Sequence, residues 1–244
     1  MIKQLTILFI LFSLFSCKKE HLGDCFNSTG SKKISYRDVA LFSQIELDDR
    51  IDLDLIWDTS LSEVSVEAGS GIIDNIITEV KNGELKIYNT NKCNWVRSFK
   101  KQIKVTVRGS SWNKITYRGS GTIQSKNQIS ADLFFLDCWE ASGDIYLNLK
   151  SNESYLKSHT GPTVVNVTGE SAYSYLFLAG NGEIKAENYR AIRSDAINKN
   201  QGKVFIKTSN SLNATIEGNG SIYEFGNPTS VNLNRTGNGD LIIR

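Results

Sequence analysis

The fold is decided by five short stretches in the second half of the chain: Gly119-Ser120-Gly121-Thr122-Ile123, Ala141-Ser142-Gly143-Asp144-Ile145, Gly180-Asn181-Gly182-Glu183-Ile184, Gly218-Asn219-Gly220-Ser221-Ile222 and Gly237-Asn238-Gly239-Asp240-Leu241. Two weaker copies, Thr160-Gly161-Pro162-Thr163-Val164 and Gln201-Gly202-Lys203-Val204, fill the gaps. Aligned on Gly121, Gly143, Gly161, Gly182, Gly202, Gly220 and Gly239, the copies recur every 18 to 22 residues. A period near 20 marks a solenoid, in which one unit cannot bury its apolar face alone and a stack of units can.

The pattern inside each unit says which solenoid. After the glycine, Ile145, Leu147 and Leu149 alternate with Tyr146, Asn148 and Lys150, and a second apolar stretch such as Tyr175-Leu176-Phe177-Leu178-Ala179 precedes the next glycine. Period two is strand, and no unit holds ten residues of helical periodicity, which excludes strand-plus-helix repeats. What remains is an all-β parallel β-helix with coils of about 20 residues, each stacking its strands on the next at ~4.8 Å, with Gly-x-Gly at the corners. The first half fits with poorer punctuation: Ile51-Asp52-Leu53-Asp54-Leu55, Val64-Ser65-Val66 and Ile103-Lys104-Val105-Thr106-Val107 alternate cleanly. Only Gly71 to Val80 has the makings of a short helix, closed by a turn at Lys81-Asn82-Gly83-Glu84. No Pro- or Ser-rich linker divides the chain near Gly109, so one domain is expected over 34–244.

The first residues set the compartment. Met1 to Gln4 give a short positive start, Leu5 to Phe15 are almost unbroken hydrocarbon, and Ser16 precedes Cys17. This reads as a signal peptide over 1–16, too short to span a bilayer as a permanent helix. Leu14-Phe15-Ser16-Cys17 resembles the bacterial lipobox, with Phe15 where a small residue is usual. The expectation is lipidation at Cys17, a polar tether over 17–33, and a membrane partner through the N-terminal lipid. The protein is then placed in the cell envelope, at the outer membrane, with the side it faces left open.

Composition narrows the chemistry. A formal net charge of +2 without basic clusters gives no electrostatic case for nucleic acid. Of four cysteines, Cys17 is assigned to lipid, leaving at most one disulfide and one free thiol among Cys25, Cys93 and Cys138. A Cys25–Cys93 bridge would pin the entering segment to the body, while Cys138 follows an apolar run and reads as a buried thiol. With no C-x-x-C and two distant histidines, His21 and His159, no metal is expected, and no other cofactor motif is present. The Gly-x-Gly units are neither phosphate loops, since no helix start or Lys-Ser/Thr follows, nor calcium nonapeptides, whose period is about nine.

The ordered series Phe42-Ser43-Gln44-Ile45, Val64 to Gly69, Asn82-Gly83-Glu84-Leu85-Lys86-Ile87, Ile103 to Val107 and the recurring Gly-x-Gly-x-Ile units resembles the head GIN domain family of auto-transporter adhesin-like bacterial proteins. The resemblance covers nearly the whole mature chain. It implies a right-handed β-helix on lipoproteins common in Bacteroidetes, and no catalytic residues to carry over. The Cys93 segment with Cys25 upstream also looks like a subgroup feature and lends support to the bridge.

Three functions are compatible with this reading. The first is a non-catalytic envelope module for adhesion, binding a glycan or a surface protein; the others are a polysaccharide-active β-helix lyase or hydrolase, and a purely structural envelope protein. Asp144, Glu183 and Asp240 share the position after the corner glycine, but lack the companion acids and bases of a catalytic groove, which favours the first. A docking surface follows from the stack. If the residue two after each glycine faces inward, the next faces out, giving the file Gln124, Tyr146, Lys185, Phe205, Tyr223 and Ile242, with Phe225 two residues beyond Tyr223. Tyr146, Phe205, Tyr223 and Phe225 are thus the candidate binding residues, with an aromatic ladder that merely stiffens the sheet as the other reading.

Overall fold

The computed structural model describes residues 29–92 and 102–244. In the first half, alternating sequence forms β1 (Lys32–Arg37), β2 (Gln44–Leu47), β3 (Asp52–Trp57), β4 (Glu63–Gly69), β5 (Ile76–Lys81), β6 (Glu84–Asn89), β7 (Lys104–Gly109), β8 (Lys114–Tyr117) and β9 (Ile123–Ser125). The strands then lengthen into β10 (Ile129–Cys138), β11 (Ile145–Ser158), β12 (Val164–Leu178), β13 (Glu183–Asn198) and β14 (Val204–Ile216), and close with β15 (Ile222–Glu224), β16 (Ser230–Arg235) and β17 (Leu241–Ile243). These 17 described strands join one hydrogen-bonded sheet, a β-solenoid of about six turns with parallel stacked coils.

One coil shows the logic. In β11, Ile145, Leu147 and Leu149 point inward and are buried, contributing about 1.5–3 kcal/mol each. Two successive outward residues, Asn152 and Glu153, then mark a bend, and the alternation resumes with Ser154, Leu156 and Ser158 inside. Each coil therefore has a leading segment after the glycine corner and a trailing segment before it. At the bend the interior is lined by small residues, and Ser154, Ser174 and Ser194 stack in register, all buried.

The corners need glycine because neighbouring backbones nearly touch. A Cβ on Gly143 would lie 1.9 Å from the Gly121 carbonyl oxygen, and one on Gly182 would lie 1.7 Å from that of Thr163. This corrects the repeat alignment in one coil. Gly161 rests on Ala141 and beneath Gly180, in the column of the first glycine of each pair, whereas Thr163 takes the second-glycine position. That copy keeps one glycine of the pair, so counting from it shifts the register by two residues. Asparagines reinforce the corners: Asn200 donates to Asn181 and Asn238 to Asn219, each at 2.9 Å.

The first half departs from a simple sequential stack. β2 lies between β6 and β8, and β3 between β7 and β9, all parallel, so the β6–β7 coil is added on the outer side of the coil that precedes it in sequence. This end is closed by antiparallel strands: β1 on β4, β4 on β7 and β5 on β6. Antiparallel strands cover an end that would otherwise expose its core. The short helix expected at Gly71 to Val80 is instead one 3₁₀ turn, Ile73–Asn75, followed by β5. Its isoleucines suit either period, and the run of Ile76, Ile77, Thr78 and Val80 favours strand. The expected turn at Lys81 to Glu84 is present, with Asn82 and Gly83 at φ of 54° and 76°, but it joins two strands as a hairpin instead of closing a helix.

β1 begins at Lys32, two residues inside the expected tether. Cys17, Cys25 and Cys93 lie outside the described residues. Cys138 is a free thiol, fully buried, and burial pushes its ionisation well above the usual range.

Candidate ligand-binding face

The trailing segments of β10, β11, β12 and β13 are aligned residue for residue, so their outward side chains form straight rows along the solenoid. One row reads Phe135, Tyr155, Tyr175 and Asp195; its neighbours carry Glu153, Tyr173 and Arg193 on one side and Asp137, Lys157 and Phe177 on the other. Trp139 and His159 extend the surface toward the corner. With coils ~4.8 Å apart, the aromatic patch spans about 10–15 Å along the axis.

The rings touch one another in two ways. Phe135 and Tyr155 stack at 5.1 Å with 18° between planes, and Trp139 and His159 at 3.8 Å with 5°. Tyr175 is tilted 35° from Tyr155, Tyr173 stands at 66° to it, and Phe177 is tilted 47° from His159. Parallel stacking hides the facing surfaces of a pair; the tilts turn the faces of Tyr173, Tyr175 and Phe177 off the stack. Trp139 is 39% exposed, a large value for so apolar a residue.

Polar groups are interleaved with the rings. The Tyr155 hydroxyl donates to Glu153 at 2.9 Å and that of Tyr173 to Asp195 at 2.6 Å. The hydrogen bond to Glu153, then burial, raises the Tyr155 ionisation, while burial, then Asp195, raises that of Tyr173. Lys157 sits 5.9 Å from the Tyr155 ring centre and 6.0 Å from that of Tyr175, with Asp137 3.8 Å from its ammonium. His159 Nε2 is 3.2 Å from the same carboxylate. The patch thus offers ring faces for the C–H face of a sugar or another flat apolar group, bordered by hydroxyls and charges that can take hydrogen bonds.

The file expected to bind lies on the leading segments and keeps its register: Gln124 pairs with Tyr146, Lys185 with Phe205, Phe205 with Tyr223 and Tyr223 with Ile242. Asn166 completes it between Tyr146 and Lys185. Tyr146 is 44% exposed but lies three coils from Phe205. Phe205 and Tyr223 stack at 5.0 Å, and the Arg244 guanidinium covers the Tyr223 ring at 5.2 Å. Phe225 is half-buried just beyond β15. The richer aromatic surface escaped the sequence reading because its residues stand about 20 apart inside runs that look like core, such as Phe134-Phe135 and Tyr175-Leu176-Phe177. Counting back from the glycine corner does not recover it either, because Phe135 lies eight residues before Gly143 and Tyr175 seven before Gly182, and a slip of one residue exchanges the faces of a strand.

The corner carboxylates do not converge. Asp144 and Glu183 lie two coils apart with Val164 between them in register. Glu183 is 3.2 Å from Lys185, Asp240 pairs with Arg235, and Asp144 accepts from the Tyr146 hydroxyl at 3.4 Å. Among the described residues no cluster of three His, Cys, Asp or Glu side chains could hold a metal ion.

A family model described as "Putative auto-transporter adhesin, head GIN domain" matches residues 41–228. No curated protein matches the chain. Among solved structures, an adhesin-designated protein from Bacteroides fragilis is similar over 88% of this chain and 97% of its own, at 22% identity and a TM-score of 0.79. A protein from Parabacteroides distasonis designated as lipid binding aligns over 89% and 98%, at 17% identity and a TM-score of 0.68. An adhesin-designated protein from Parabacteroides merdae gives the same coverage and identity with a TM-score of 0.66. At these identities the likeness is one of fold.

Proposed function

The chain belongs to the head GIN domain family of auto-transporter adhesin-like proteins, and on that premise we propose that it is a non-catalytic, lipid-anchored module of the cell envelope that holds a glycan on the aromatic face of β10 to β13. The observation that carries this reading is the gathering of Phe135, Trp139, Tyr155, His159, Tyr173, Tyr175 and Phe177 on one outward surface of three successive coils. Rings on a soluble surface are normally scattered, and a contiguous patch edged by polar groups marks a binding site. Membership of an adhesin-like family supports an envelope or surface location. Attachment through Cys17, a tether over 17–33 and a Cys25–Cys93 bridge belong to the same proposal, resting on the leader and lipobox-like residues.

The corner carboxylates, each satisfied by a neighbour, favour holding over cleaving. Replacing Trp139 by Ala tests the face at its most exposed ring: affinity for a bound glycan is expected to fall three- to tenfold, the ~0.5–1.5 kcal/mol of a lost aromatic contact. Titration calorimetry reads the change, and an unaltered affinity would remove Trp139 from the site.

A further inference from the structure

Beside the aromatic face, at the bend between leading and trailing segments, β11, β12 and β13 bound a groove of about 390 Å³. One wall is a row of charges, Lys150, Glu170 and Arg190 in register, and the row runs on past the groove to Lys207 on β14. Glu170 is taken: its carboxylate lies 2.9 Å from the Lys150 ammonium, whose hydrogen bond and charge hold it below the usual carboxylate range. Among the described residues no carboxylate lies within 4 Å of the Arg190 guanidinium or the Lys207 ammonium and neither is hydrogen-bonded, although the charge of Arg190 also acts on Glu170, its neighbour in register. The two cations stand on adjacent coils, where two like charges repel and an anion between them is favoured. Ala172 sits between Asn152 and Ile192 on the other wall, and its small side chain leaves the depth. The floor is the backbone of Ser151 and Ser171, paired in register, whose small side chains turn into the solenoid.

The backbone is irregular at this point. The register of β13 on β14 breaks between Lys185 and Arg190 and again between Ala191 and Arg193, leaving Arg190 and Ala191 as an island between two irregularities. Such breaks re-aim side chains and recur beside binding sites. The groove is also continuous with the aromatic face, since Ala172 precedes Tyr173 and Ile192 precedes Arg193, whose guanidinium lies 6.0 Å from the Tyr173 ring centre.

We propose that this groove takes the carboxylate of an acidic sugar, with neighbouring sugar rings lying across Tyr173 and Tyr175. The inference rests on the reading of the aromatic face as a glycan site and names its ligand class. A planar guanidinium matches a planar carboxylate with two parallel hydrogen bonds, and Lys207 adds a second positive charge.

The test is titration calorimetry of the full-length chain with a galacturonate trimer, a neutral galactose trimer and inorganic phosphate. The acidic trimer is expected to bind best, and R190Q combined with K207Q to weaken it at least tenfold while leaving the neutral trimer unchanged. Y155A combined with Y175A is expected to weaken both trimers. If both trimers bind alike and both are lost only in the aromatic variant, the groove assignment is overturned and the face stands. If the acidic trimer depends on Arg190 and Lys207 but not on the tyrosines, the face reading is overturned instead. Phosphate displacing the acidic trimer at equal concentration overturns the assignment to a sugar, and binding of neither trimer overturns both readings.

Discussion

Tyr189 lies in register with Gly169 of the adjacent coil, and its hydroxyl reaches Ser151 one coil further on, at 3.0 Å. A large ring enters the solenoid here because the residue beneath it has no side chain. Gly169 has φ of 113°, and a Cβ there would lie 2.1 Å from the Leu149 carbonyl oxygen. Gly169→Ala is therefore expected to destabilise the fold by about 2–4 kcal/mol, combining backbone strain with overpacking. Tyr189→Phe, which loses only the buried hydrogen bond, is expected to cost about 1 kcal/mol. Urea unfolding midpoints check both, and equal costs would contradict this packing.

Alkaline titration gives a second outcome. Burial raises Tyr117 and Tyr173, and the hydrogen bond to Glu153 raises Tyr155, so their folded pKa values stand above the unfolded value of about 10. Groups of this kind contribute stability that is fully present below about pH 10 and lost as pH rises through the folded values. Tyrosinate absorbance should thus lag behind a free-tyrosine titration and rise together with the loss of circular dichroism. Full ionisation near pH 10 in a still-folded chain would contradict the burial of Tyr117 and Tyr173.

The Phe205–Tyr223 pair separates a ladder from a platform. Its rings face each other and Arg244 covers Tyr223, so replacing both by Ser is expected to cost about 1 kcal/mol of stability and leave glycan affinity unchanged. Thermal unfolding and calorimetry on the same variant measure the two effects. A lost ligand with intact stability would move the site to the leading segments.

The solenoid was legible because close backbone approaches at the corners favour glycine strongly enough to repeat it, and Gly121, Gly143, Gly182, Gly202, Gly220 and Gly239 keep their column in the stack. The outward file through Tyr146, Phe205 and Tyr223 followed from strand alternation alone. Spatial order did not: nothing local tells β6 and β7 to stack on the outer side of β2 and β3, since every coil has the same apolar inside. Thr163 hid its column because the glycine there is replaced. The aromatic face was hidden for a different reason, as Phe135, Tyr155 and Tyr175 become neighbours only when the coils stack.

Cysteine chemistry tests the expected anchor. Cys17→Ala should abolish incorporation of a fatty-acid analogue, and continued labelling would contradict lipidation at that thiol. In the mature chain Cys138, fully buried, should resist alkylation until the fold is opened, while a non-reducing peptide map should join Cys25 to Cys93. A Cys138-linked peptide would contradict both statements.

The most direct test of the central claim is binding to a panel of immobilised neutral and acidic glycans by the wild-type chain and by Tyr155→Ala combined with Tyr175→Ala. The wild type is expected to retain at least one glycan, and the double variant to lose at least tenfold in affinity while its fold persists by circular dichroism. A wild type that retains none, or a double variant that binds as the wild type does, would contradict the assignment of the β10 to β13 face as the ligand-binding surface.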